Sequence, residues 1–213
     1  MSIQFEAYTA EGIRHGLIAG SGRLGDLLGT EAELAVAGGR FSRLDGAMSG
    51  VTGVTRQPID DFLVVVAPPD HAGPSHSVWH DVRIHADPYV IEARLPTLPG
   101  FDPARALARP AGSFVLLGDV RIGLSGRPDD GVDEHELAWV NRYTVDRIES
   151  DLDLGFFFPG AETVVVRGFN TGLEPGDTPT QPVASPVSEP GHSPAAAPVR
   201  DPFEELLETA IRD

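Results

Sequence analysis

The stretch Ser77–Leu95, SVWHDVRIHADPYVIEARL, decides the class of fold. Its two runs alternate apolar and polar residues at the period of two that a half-buried strand requires, and Asp87-Pro88 between them reads as a turn. A helix would need apolar residues every three or four positions, and neither run has them.

The same grammar extends outward on both sides. SIQFEAYT alternates Ile3, Phe5 and Ala7 with polar neighbours, and Glu11-Gly12 turns the chain into IRHGLIAG. GRLGDLL has room for about one helical turn or slightly more. ELAV and RFSRL follow on either side of a Gly38-Gly39 turn, and GAMSGVTGVTRQP reads as a Gly-rich loop or sheet edge. DDFLVVVA is the strongest strand signal in the first half, and Pro68-Pro69 ends it. Beyond the central stretch, DPARALA is a short helix with Asp102 as N-cap and Pro103 at its first position. SFVLLGDVRIGLS is a strand pair or a bent strand, GRPDDGVDE a hairpin tip, and HELAWV a returning strand. YTVDRIES reads as a helical turn and ETVVVRGF as a last strand. The predicted fold class is therefore mainly β with short helices.

Two sections run in parallel. GIRHGLIAGSGRLGDLL leads into ELAVAGGRF, and YVIEARLPTLPGFDPARAL leads into FVLLGDVRI. Each gives a strand, a turn, a short helix with an Asp (Asp26, Asp102), then a strand reaching Arg40-Phe41 or Arg121-Ile122. The expected organisation is two small related β-rich units, 1–70 and 71–169, packed as one body. A disordered Pro-rich linker (170–200) and an amphipathic helix (201–213) follow. The phrase GRLGDLL before a strand, followed by RF and LDG, resembles a small β-module of uncharacterised bacterial proteins that carry an RLxDLL-type phrase. The resemblance covers 3–66, with a degenerate second copy over 82–166, and Gly25 stands where that phrase has Ser or another polar residue. It implies an all-β fold with short helices and no known activity.

Composition removes several chemistries. The chain has 213 residues, no cysteine and sixteen basic residues, all of them arginine. Disulfides, thiolate metal sites, Schiff-base lysines and a P-loop lysine are thereby excluded. A net charge of −16 repels a phosphate backbone, so no nucleic-acid partner is expected. The N-terminus lacks a basic segment before an apolar one, and no apolar run is long enough to span a bilayer, so a cytoplasmic location without membrane attachment is expected.

Residues 20–25, GSGRLG, match G-x-G-x-x-G with Asp45 downstream, but the long helix and βαβ context that give those glycines their phosphate role are missing. His71, His76, His80 and His85 fall within fifteen residues, the density of a metal site. On a strand, however, His80 shares a face with Val82 while His85 lies on the other face with Trp79. Asp60-Asp61, Asp129-Asp130, Asp133-Glu134 and Asp151 with Asp153 read as solvated turn residues. No catalytic residue and no cofactor is assigned.

The tail differs in kind. Prolines recur at 175, 179, 182, 186, 190, 194 and 198, which suits an extended tether. DPFEELLETAIRD follows, with Asp201 as N-cap, Pro202 at the first helical position and Glu204 completing a capping box. Phe203, Leu206, Leu207, Ala210 and Ile211 form one apolar stripe. So short a helix is marginal alone in water, so those five residues are the candidate contacts with a partner protein. The expected function is a non-enzymatic adaptor. Its rivals are a metal-binding module or metal-dependent enzyme using the His71–His85 cluster, and a small-ligand binder with a pocket between the two units.

Overall fold

The computed structural model describes residues 2–19, 22–50, 52–68, 71, 73–74, 76–102, 112–127 and 131–173. All of them belong to one compact unit, Met1–Gly176. The helix expected from Pro103, the linker beyond Leu173 and the C-terminal helix with Phe203, Leu206, Leu207, Ala210 and Ile211 lie outside the described residues.

In chain order the elements are β1 (Ser2–Thr9), β2 (Gly12–Ala19), α1 (Leu24–Thr30), β3 (Glu33–Arg43), β4 (Met48–Gly50) and β5 (Val54–Pro58). A 3₁₀ turn (Ile59–Asp61) then leads into β6 (Val64–Val66). The second half holds β7 (Val78–Ala86), β8 (Tyr89–Thr97), β9 (Phe114–Leu124), β10 (Asp133–Asn141), β11 (Arg147–Ser150) and β12 (Glu162–Val165). The quoted stretch is the β7–β8 hairpin, in register from Val78↔Thr97 to Ala86↔Tyr89 around a cis Asp87-Pro88 bond.

Among the described residues these strands form one sheet, ordered β12-β11-β7-β8-β9-β10-β6-β1-β2-β3-β4, with β5 also on β3. Each half contributes the same local order. In the first, β6-β1-β2-β3 is followed by β4 and β5; in the second, β11-β7-β8-β9 is followed by β10, and β12, parallel to β11, extends that half with no counterpart among the described residues of the first. The halves join edge to edge where β10 pairs β6, Ala138↔Val66 to Val140↔Val64.

That junction explains why VVV (64–66) and AWV (138–140) read as apolar on every residue. Two cores lie on opposite faces of β10, β6 and β1. Phe5, Ala7, Val65 and Trp139 join a core closed by Leu24 and Leu28 of α1 and by Ile59 and Phe62. Tyr8, Val64, Ala138 and Val140 face the other core, with Val82, Ile84, Ile91, Leu117 and Ile122, closed by Leu154, Phe157 and Phe158. Arg142, 1% exposed, ties that closing segment down by donating from Nη2 to the Phe156 carbonyl at 3.1 Å.

Local departures from expectation have local causes. Gly38, at φ 61, makes no turn; it lets β3 run on as one strand, with a register shift against β2 between His15 and Leu17. The second half of YTVDRIES is a strand rather than part of a helical turn, because Arg147–Ser150 pairs with Val82–His85 of β7. DDFLVVVA gives only the three-residue β6, its first residues taken up by the 3₁₀ turn. GRLGDLL makes a seven-residue helix. Gly25 in it has a packing reason: a Cβ there would meet the Trp139 ring at 3.0 Å.

Candidate functional site: a charged cleft on the outer face

The outer side of β7, β8 and β9 carries the charged residues that alternate with the core. Register places them side by side: Arg83 opposite Glu92, and His85 opposite Val90, then Glu92 opposite Arg121, and Val90 opposite Gly123. Arg121 reaches this face because of one residue. Leu117 points into the core, and so do Val120 and Ile122; the extra residue between them is Asp119, at φ 49. Without that bulge strict alternation would turn Arg121 inward with Leu117.

Together Arg83, His85, Val90, Glu92, Arg121, Gly123, Ser125 and Val132 line a cleft of about 390 Å³. Gly123 leaves the floor open, and Val90 and Val132 supply apolar surface. Arg83 donates from Nε and Nη2 to the same oxygen of Glu92, at 3.2 and 2.8 Å. Arg121 Nη1 reaches the other Glu92 oxygen at 3.5 Å. Glu149 sits beside them, 3.6 Å from Arg83, 2.9 Å from Arg147 and 3.7 Å from His85, while Glu134 lies 3.4 Å from Arg121. Two buried nitrogens stop at ion-pair distance without a hydrogen bond: Nε of Arg121, 3.4 Å from Glu134, and Nε2 of His85, 3.7 Å from Glu149 and a donor when protonated. Buried donors in that state are what a ligand or an ordered water completes.

The segment after β12 lies on the same face. The Thr171 amide donates to Asp81 at 3.2 Å, Arg94 holds the Leu173 carbonyl at 2.7 Å, and the Arg83 guanidinium lies over the Phe169 ring at 5.6 Å.

The four histidines of the dense run go to four different places. His71 meets the Trp139 ring at 4.7 Å. His76 is exposed at positive φ. His80 points inward to Thr97 Oγ1 at 3.0 Å, and His85 points outward into the cleft. Among the described residues no group of three or more His, Asp or Glu is arranged to hold a metal ion. The dinucleotide fingerprint fails as well: β2 and β3, the strands flanking α1, are antiparallel, and Asp45 caps its own turn by accepting from the Ala47 amide at 3.0 Å.

Of the cleft residues, sequence reasoning had singled out His85 alone. Arg83, Glu92 and Arg121 each sit between two core aliphatics, as in VRI, IEA and VRI. That repeated phrase was a visible signal, but only the strand register makes the three neighbours. No protein-family model matches this chain, and neither the search of curated proteins nor that of solved structures returns a match.

Proposed function

We propose that this β body binds a small polar molecule in the outer-face cleft. The observation that carries the reading is a cleft within the usual ligand-pocket range of roughly 300–1,000 Å³, lined by Arg121 and His85, whose buried Nε and Nε2 make ion-pair contacts but no hydrogen bond. The charges indicate the class of molecule. Arg83, Arg121 and Arg147 are balanced by Glu92, Glu134 and Glu149, so a simple anion gains little net attraction. An uncharged polar or zwitterionic molecule can accept from Arg121 and His85 and donate to Glu92. The cleft lies within the second half, whereas the small-ligand alternative drawn from the sequence places its pocket between the two units.

A library of uncharged and zwitterionic metabolites screened by thermal shift tests this. A hit should bind about tenfold more weakly or worse to Arg121→Gln and Glu92→Gln, the usual loss for a hydrogen bond to a charged group. A melting temperature flat across the library, or hits indifferent to both substitutions, would count against the cleft.

The adaptor reading stands beside this one and rests on the single apolar stripe of Phe203, Leu206, Leu207, Ala210 and Ile211 in the C-terminal segment. Removing 201–213 should abolish recovery of a protein partner in a pull-down and leave the melting temperature unchanged.

A further inference from the structure

Directly behind the cleft, on the inner face of the same strand ends, sits a second polar group. Tyr89 precedes Val90 on β8, and Asp133 follows Val132 into β10. Asp133–Glu134, read from sequence as solvated turn residues, opens a strand and splits between the two faces: Glu134 pairs with Arg121 outside, and Asp133 turns inward to Tyr8.

Six side chains meet there. The Tyr8 hydroxyl lies 3.0 Å from Asp133 Oδ2, 2.9 Å from His135 Nε2 and 3.3 Å from Glu6 Oε1. Glu6 is flanked by His15 at 3.3 Å and His135 at 3.6 Å. A phenol has one proton to donate, so it serves one carboxylate; with Nε2 of His135 protonated, that ring donates to the Tyr8 oxygen. The sixth member is Tyr89, 3% exposed, whose ring meets Tyr8 edge to face at 5.4 Å. Its hydroxyl is buried and has no hydrogen-bond partner, and Asp133 is close enough to act with burial in pushing its ionisation up to about 12.

The electrostatics differ from those of the outer face. Here two carboxylates converge with no guanidinium paired to either among the described residues, and the chain contains no lysine to supply an ammonium. The ionic neighbours of Glu6 are imidazoles. Solvent reaches the group through Glu6, His15 and His135, whose side chains are 26%, 33% and 15% exposed, while Tyr8 and Tyr89 close it from below. Carboxylates beside aromatic rings favour a cation that can also donate hydrogen bonds. A bare metal ion does not suit the arrangement, and an anion would be repelled.

We propose that this inner end of the sheet is a binding site for a primary ammonium group, which takes the remaining carboxylate lone pairs of Glu6 and Asp133 beside the Tyr8 hydroxyl that bridges them, with the Tyr89 hydroxyl as a further acceptor. The ammonium can come from a free amine or from a lysine side chain, and the two are separable. The full chain is titrated with n-butylammonium chloride and, separately, with Nα-acetyl-lysine amide, against sodium chloride at equal ionic strength, following tyrosine and histidine ring resonances by NMR. A saturable response to either amine is expected, the tighter of the two naming the source. Asp133→Asn should weaken it at least tenfold and Tyr89→Phe several-fold, while Glu92→Gln on the outer face leaves it unchanged. Tyr89→Phe keeps the ring, so it serves as the decisive variant if Asp133→Asn fails to fold. Shifts that sodium chloride reproduces, or equal affinities in wild type and Tyr89→Phe, would overturn the site.

Discussion

The two halves of the sheet share a strand order and close their cores by different means. The first half covers one face with α1 and a 3₁₀ turn, placing Leu24, Leu28, Ile59 and Phe62 against Phe5, Ile18 and Val36. The second half has Leu154, Phe157 and Phe158, brought in by a turn after β11, to fill the space inside its own strands. The difference shows that strand order leaves open what fills a core. What the halves have in common physically is β10, β6 and β1, each with one face in either core.

That shared wall gives the sharpest way to break the comparison. Trp139, 7% exposed, projects from the second half into the first half's core. Trp139→Ala should cost about 3–5 kcal/mol, as for other large aromatic truncations, and urea unfolding should remain a single transition. Two resolved transitions would mean that the halves unfold independently and that the wall couples nothing.

A second test separates the faces by pH. Burial, aided by Asp133, raises Tyr89 to about 12, and Tyr8 is raised further by burial, Asp133 and Glu6. A phenol whose folded ionisation lies above its unfolded value of 10.0 gives stability that is whole below that value and is lost as pH rises toward the folded one. The protein should therefore lose stability between about 10 and 12, and Tyr89→Phe should flatten part of that loss. Glu92→Gln should leave the alkaline limb unchanged.

The smallest effect sharpens the account of α1. Gly25 and Gly29 share one short helix, but a Cβ on Gly29 meets nothing within 4 Å while one on Gly25 presses on Trp139. Gly29→Ala should stabilise by about 0.5–1 kcal/mol through helix propensity. Gly25→Ala should gain less or lose, because the ring must shift. Equal gains in a thermal melt would remove the packing explanation for Gly25.

Much of the fold could be read from single residues and their spacing. Alternation over Val82–His85 and Val90–Leu95 placed the β7–β8 hairpin, and the opposite facing of His80 and His85 followed from the same period. The cleft was far less legible. Its floor depends on Asp119 holding positive φ, and nothing in LLGDVRI says which residue will bulge. The inner group was hidden for another reason: Glu6 and Asp133 are 127 positions apart, and a carboxylate in a turn-like phrase reads as solvated until a partner such as Tyr8 is brought to it.

By itself the sequence determined the period of its strands, the absence of thiol and lysine chemistry, and an acidic balance, because these are properties of composition and of neighbours along the chain. The tertiary structure alone decided that β10 and β6 join the halves, which charges face outward with arginine and which face inward without it. Those outcomes depend on register between strands distant in sequence, where a shift of one residue exchanges the two faces.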